Sequence, residues 1–301
     1  MENNTQLKEM IRSMVIDVLQ GQKQEMASSQ PIKQAPRGQV EPGVFDTVDE
    51  AIQAAKAAQA RFEDCTLATR EKVIADIRAA MRPRVQELAQ KTVDETGMGR
   101  VADKVLKLNL TLDKTPGVED LVTECETGDN GMTLYELSAY GVIGAITPST
   151  NPAETLICNS IGMLAAGNAI FFSVHPGAKN LSRELVSELN QVIAKSIGIE
   201  NLIVTLREPS IESAQEMMLH PDVSLLVVTG GPGVVKQALQ SGKKVIGAGA
   251  GNPPAFVDET ADIKKAAQDI VLGASLDNNI LCIAEKSVVA MRQIEPQLVQ
   301  E

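Results

Sequence analysis

The chain has 301 residues, 44% of them hydrophobic, which is enough to bury a substantial core and excludes global disorder. Aromatic side chains are scarce (no Trp, two Tyr, five Phe), which argues against stacking platforms for bases or sugars. Lys and Arg number 28 against 39 Asp and Glu, a formal charge of -11 with no basic run, so no nucleic-acid footprint is expected.

The first predicted element is an amphipathic helix over residues 1–20. Leu7, Met10, Ile11, Met14, Val15, Val18 and Leu19 recur at steps of three and four, with Thr5 as N-cap and Gly21 as stop. Residues 21–45 are rich in Gln, Ser and Pro and read as a flexible tether. A helix on a tether is a docking element, although the same face would also suit packing on its own domain or in an oligomer.

From Asp46 the pattern is helical, with Ala-rich and charged stretches that continue through "VADKVLKLNLTLDKTPGVEDL". Near Tyr135 the character changes. "YGVIGAI", "AIFFSV", "NLIVTL", "SLLVVTG" and "KKVIGAG" are short β-branched runs, separated by helical stretches at 153–166, 177–197, 211–219 and 232–241. This alternation predicts an α/β fold with right-handed crossovers and a mainly parallel sheet. "KSVVAM" adds a late strand and a short helical tail follows. The stretch between Glu154 and Lys179 carries no acid, Lys or Arg. Asn159, Gly162, Gly167, Asn168 and Pro176 break it into helix, turn and strand, so no transmembrane segment is expected.

The four cysteines are widely spaced with no C-x-x-C pair, and with two histidines they offer no zinc site, consistent with a reducing compartment. Ligands of a parallel α/β sheet bind at the carboxyl ends of its strands. There the sequence places "TPSTNPAE", "HPGAK", "TGGPGVV" and "GAGAGNPP". No G-x-G-x-x-G or P-loop pattern occurs, so taken alone these glycine turns read equally well as tight connections or as cofactor loops. Cys282, in "SLDNNILCIAEKS", taken alone reads as a buried structural thiol, and so do Cys65, Cys125 and Cys158.

Four motifs in order, "ITPSTNPAETLICNSIGMLAAGNAI", "VVTGGPGVVKQA", "GAGAGNPPAFVD" and "GASLDNNILCIAEK", resemble the CoA-acylating branch of the aldehyde dehydrogenase superfamily. Within that branch they are most similar to the acetaldehyde and propionaldehyde dehydrogenases of bacterial microcompartments. The resemblance implies a Rossmann-type NAD-binding domain over residues 46–258 and the start of a catalytic domain over 259–301, incomplete relative to the family.

It also implies NAD as cofactor and coenzyme A as co-substrate, with a small aldehyde oxidised to acyl-CoA. Cys282 would be the nucleophile and Asn151 the side-chain oxyanion donor. Thr147, Pro148 and Ser149 would line the nicotinamide side, and His175 and Pro176 the adenosine ribose. Thr229, Gly230, Gly231, Val234 and Gly249 would complete the cofactor cleft. Ala248 stands where hydrolytic relatives carry a water-activating Glu, which favours a thiol acceptor.

Residues 1–20 resemble the encapsulation peptides of those enzymes, implying a shell-protein partner, a location in the cytoplasm inside a microcompartment, and homo-oligomerisation of the full-length form. The competing readings are a non-CoA aldehyde dehydrogenase and a non-catalytic dinucleotide-binding or shell-docking module.

Overall fold

A computed structural model describes residues 41–301. The amphipathic segment at residues 1–20 and most of the tether lie outside the described residues. Within the tether reading one correction is needed. Val44–Phe45 is an edge strand (β1) paired in parallel with Ile203–Leu206, so ordered sheet begins before Asp46.

Four helices follow: α1 (Val48–Glu63), α2 (Leu67–Met81), α3 (Val85–Thr96) and α4 (Val101–Lys114). Their starts and faces follow from the sequence. Thr47 accepts from Glu50 N and Thr66 from Thr69 N, each satisfying an otherwise free amide of a first turn. Ala51, Ile52, Ala55, Ala58 and Phe62 form the buried stripe of α1, and Val73, Ile74, Ile77 and Met81 that of α2.

The next pair was not anticipated from the sequence. β2 (Glu124–Gly128) and β3 (Gly131–Tyr135) form an antiparallel hairpin around Asp129 and Asn130, exposed along its whole length. With neither face buried, it shows none of the in-out alternation that marks a half-buried strand.

The expected alternation then unfolds: β4 (Val142–Ile146), α5 (Pro152–Ala165), β5 (Ala169–Ser173), α6 (Lys179–Ile197), β6 (Ile203–Leu206), α7 (Ile211–Leu219), β7 (Val223–Thr229), α8 (Pro232–Gln240) and β8 (Lys244–Ala248). All five predicted strands and all four predicted helices are present. They form one parallel sheet in the order β1-β6-β5-β4-β7-β8. Every residue of β4, β5 and β6 is buried, which is why these strands read as continuous apolar runs. Phe171 and Phe172 of β5 pack into a core that includes Phe62, Leu156 and Ile157.

The chain winds outward from β4 to β5 and β6, then returns to β7 on the other side of β4. That reversal leaves a crevice at the carboxyl edge of the sheet. β9 (Pro254–Val257), α9 (Ile263–Ser275), β10 (Ser287–Ala290) and α10 (Glu295–Gln300) complete the described chain. β9 pairs in parallel with β10 and lies outside the six-stranded sheet, so the change of sheet falls before residue 254 and not at 258. Among the described residues no helix is long and apolar enough to cross a membrane.

Candidate active site

The crevice is a cleft of about 480 Å³ built from the segments that leave four strands. Residues 146–151 end and follow β4, residues 173–176 end and follow β5, Thr229, Gly230 and Gly231 end and follow β7, and residues 248–251 end and follow β8. Backbone bonds hold these exits side by side. Thr147 N donates to Ser173 O at 3.1 Å, and Gly230 N to Ala248 O at 3.1 Å. Every residue singled out from the sequence lines this one cleft: Thr147, Pro148, Ser149, Asn151, His175, Pro176, Thr229, Gly230, Gly231, Val234, Gly249 and Cys282.

Two helices open into the cleft without a side-chain cap. Asn151 is the N-cap of α5 and Gly231 that of α8, and neither caps its first turn through a side chain. Pro152 and Pro232 open those helices, leaving first-turn amides free for a ligand. A β-carbon at Gly231 or Gly249 would meet nothing within 4 Å, so these stretches of backbone border open space. The Thr147 hydroxyl is buried in the cleft wall with no hydrogen-bond partner among the described residues. Uncapped helix starts, bare backbone and an unpaired hydroxyl together fit an elongated, phosphate-bearing ligand.

Cys282 is exposed to the cleft, so its reading as a buried thiol does not hold. That reading also fails for Cys125 and Cys158, which are exposed, while Cys65 is half-buried. The residues before Cys282 explain the run of acid and asparagines that precedes it. Asp277, Asn278 and Asn279 occupy three successive left-handed positions, with φ of 50°, 55° and 59°. Asp and Asn tolerate that region better than other non-glycine residues.

The turn is held from several sides. Asn279 Nδ2 donates to Ala274 O and Glu285 O, and Lys286 Nζ donates to Asn279 O at 2.7 Å and Leu281 O at 2.9 Å. From across the cleft floor, Gly251 packs on the Cys282 peptide. A β-carbon at Gly251 would come within 2.2 Å of Cys282 O.

Behind the cleft lies a buried ionic cluster that sequence reasoning missed. Asp277 is fully buried, and its carboxylate accepts from Arg100 N at 2.9 Å and from Lys107 Nζ at 2.5 Å. Lys104 Nζ lies 2.9 Å from Asp277 Oδ2 and donates to Thr150 O at 2.5 Å. Lys107 Nζ also donates to Asn151 Oδ1 at 2.5 Å and sits 3.1 Å from Glu154 Oε1, out of line for a hydrogen bond.

Burial opposes the charge of Lys107, yet the Glu154 and Asp277 carboxylates outweigh it and hold its pKa above a lysine's ordinary value. For Lys104 burial wins, and its pKa is lowered. Burial also opposes charge on Asp277. Hydrogen bonds from Lys107, Lys104 and Arg100 N outweigh that, and its pKa is lowered.

A signal for the cluster does exist in the sequence. Lys104, Lys107, Leu108 and Leu112 share one helical face of α4, and all four are buried. Leu106 and Leu110 lie on the opposite side of the helix and are exposed.

Among the described residues that line the cleft none is acidic, and Ala248 contributes only a methyl group. A thiol, a side-chain amide and open helix starts therefore share a cleft whose lining, among the described residues, carries no carboxylate. Such a set can form and hold a covalent adduct on sulfur beside a bound nucleotide.

Comparison with known proteins places this geometry. The family model described as "Aldehyde dehydrogenase family" matches residues 18–301. A propanal dehydrogenase (CoA-propanoylating) of Salmonella typhimurium is 49% identical over 299 residues, covering 99% of this chain and 62% of the relative. The chain thus spans less than two thirds of that relative's length.

Among solved structures, a propionaldehyde dehydrogenase from the Clostridium phytofermentans fucose utilisation bacterial microcompartment superposes with a TM-score of 0.84 at 50% identity, covering 86% of this chain and 60% of that one. A Rhodopseudomonas palustris propionaldehyde dehydrogenase, solved with bound CoA and an acylated cysteine, gives a TM-score of 0.84 at 51% identity, over 87% and 60% of the two chains.

Proposed function

The chain belongs to the aldehyde dehydrogenase family, and on that premise we propose that it serves the NAD-dependent oxidation of a short-chain aldehyde to its acyl-CoA. The observation that carries this reading is the meeting of Cys282 and Asn151, far apart in sequence, in one cleft with two open helix starts and no acidic lining residue. The relatives named for CoA acylation and the solved structure with an acylated cysteine support it.

In this reading the Cys282 thiolate adds to the aldehyde carbon, forming a C–S bond and leaving the negative charge on oxygen. Asn151 Nδ2, together with a backbone N–H, donates to that oxygen. The open helix starts and the backbone of Gly230, Gly231 and Gly249 would hold NAD, which would supply a hydride acceptor beside that carbon. The product on the protein is a thioester at Cys282. The thiol of coenzyme A then attacks the thioester carbon and loses its proton, and Cys282 departs as thiolate. Sulfur suits both roles, because it adds readily and leaves readily. The net change is aldehyde, NAD and CoA to acyl-CoA, NADH and one proton. With no carboxylate lining the cleft, a thiol that ionises on its own is a better acceptor than water.

The test is NADH formation from propanal, with acyl-CoA identified by mass. Production that needs CoA and disappears in Cys282→Ala, while nucleotide binding persists, supports the reading. NADH with free acid and no need for CoA would instead favour water as acceptor.

The same reading extends to location. The microcompartment source of a structural neighbour and the amphipathic pattern of residues 1–20 support a shell-protein partner, and self-association belongs with that reading. Residues 1–40 fused to a fluorescent protein should then form puncta that co-purify with shells. Ile11→Glu with Val15→Glu should make the signal diffuse, and a diffuse wild-type fusion would remove the location.

A further inference from the structure

Lys107 makes three close contacts from one ammonium: Asn151 Oδ1 at 2.5 Å, Asp277 Oδ2 at 2.5 Å and Glu154 Oε1 at 3.1 Å. An ammonium only donates, so the atom of Asn151 that faces it must be the amide oxygen. The amide nitrogen is thereby turned away from Lys107. One of its hydrogens is directed at Thr150 Oγ1, 3.2 Å away, and the second has no acceptor among the described residues. Asn151 itself lines the cleft with Cys282. Without Lys107, the amide could rotate by half a turn and present its oxygen to the cleft, where it would repel an oxyanion. The same ammonium grips the carboxylate of Asp277, the first residue of the left-handed turn that leads to Cys282.

We propose that Lys107 is a positioning residue, which fixes the Asn151 amide with its nitrogen toward the cleft and ties that amide through Asp277 to the turn carrying the nucleophile. The proposal deepens the reading of Asn151 as the oxyanion donor and rests on it for its effect on turnover. Its effect on the amide does not need turnover at all. The cluster is buried: Lys107 is 8% exposed and Asp277 fully covered, so water cannot substitute for the missing donor.

Two variants and two readouts test it. Lys107→Met keeps the length of the stem and removes all donors, and Lys107→Gln restores a neutral donor. In nitrogen-edited NMR of the whole chain, with the Asn151 side-chain signal assigned by its loss in Asn151→Ala, the two amide protons should move and exchange faster in Lys107→Met. Lys107→Gln should return them toward wild type.

In turnover, Lys107→Met should lower kcat about tenfold to a hundredfold, less than the hundredfold to thousandfold loss usual when an oxyanion donor is removed. The KM for NAD should stay within about twofold, because Asn151 acts on the reacting oxygen. In the Asn151→Ala background, Lys107→Met should cause no further loss of kcat, since the amide it orients is gone.

A full additional loss in that background would show that Lys107 serves only to neutralise the buried carboxylates, and would overturn the proposal. An unchanged Asn151 signal in Lys107→Met would overturn it as well. If wild-type protein makes no NADH while the Asn151 signal still responds to Lys107→Met, the positioning role stands and the proposed reaction fails.

Discussion

Gly99 sits against the carboxylate of Asp277 so closely that a β-carbon on Gly99 would lie 2.1 Å from Asp277 Oδ1. Gly99 also has a φ of +79°, a conformation in which any side chain is strained. The loop between α3 and α4 is therefore shaped to receive a carboxylate from the far end of the chain. Gly99→Ala should destabilise the fold by about 1–3 kcal/mol, the range for a strained backbone position. Urea unfolding at neutral pH measures it, and a shift below about 0.5 kcal/mol would mean that the loop yields freely.

Asp277→Asn removes the counter-charge of two buried lysines. Breaking one partner of a buried ion pair costs about 3–5 kcal/mol, because the remaining charge is left uncompensated. The pH dependence has a definite sign. The folded-state carboxyl lies below its ordinary value of 3.8, so its stabilisation is complete above that value. It is lost as pH falls through the lower folded value. The stability gap between wild type and Asp277→Asn should therefore be full at neutral pH and close in strong acid. A gap that widened on acidification would contradict the assignment.

Asn151→Ala should lower kcat by about two to three orders of magnitude with little change in nucleotide affinity. Steady-state kinetics with separate nucleotide titration decides it. An unchanged kcat would reduce Asn151 to the first residue of α5.

Gly251→Ala forces a methyl group toward Cys282 O, where only 2.2 Å is available. The peptide must shift, and a displacement near 1 Å in a reacting group can lower the rate about a hundredfold. A fall in kcat of at least tenfold is expected, with the unfolding midpoint changed little. Normal turnover would show that the loop after β8 moves aside.

Phe171 lies at the centre of the sheet and is 1% exposed. Its replacement by Ala should cost about 3–5 kcal/mol, the range for emptying a large core site. Thermal and denaturant unfolding measure this directly, and a small change would mean that β5 repacks.

The sequence was most legible where one physical signal dominates. β4 and β5 are buried on both faces, and their apolar runs announce them. The strand exits alone left the reading of the cleft open between tight connections and cofactor loops, and the family resemblance of their motifs assigned its residues. The hairpin β2–β3 was not legible, since neither face is buried and no alternation marks it.

The ionic cluster was hidden for a different reason. Lys104 and Lys107 occupy the inner face of α4 because Asp277 waits there, and that partner lies 170 positions or more away along the chain. Periodicity measures local pattern. The recurrence of Val101, Val105, Leu108 and Leu112 marks the inner face of α4, but it gives no reason for lysines to share that face. Val44–Phe45 shows the same limit, because a two-residue strand gains its stability from β6 and carries no pattern of its own.

The late position of Asp277 also orders events during synthesis. Lys104 and Lys107 leave the ribosome long before the residue that neutralises them, while Glu154 reaches Lys107 earlier. Until Asp277 arrives, burying the inner face of α4 carries the cost of incompletely compensated charge on its lysines. The turn before Cys282 thus acts as a clasp on α4. That one short turn brings both Cys282 and the charge that pairs with the buried lysines, so thiol and counter-charge enter the fold together.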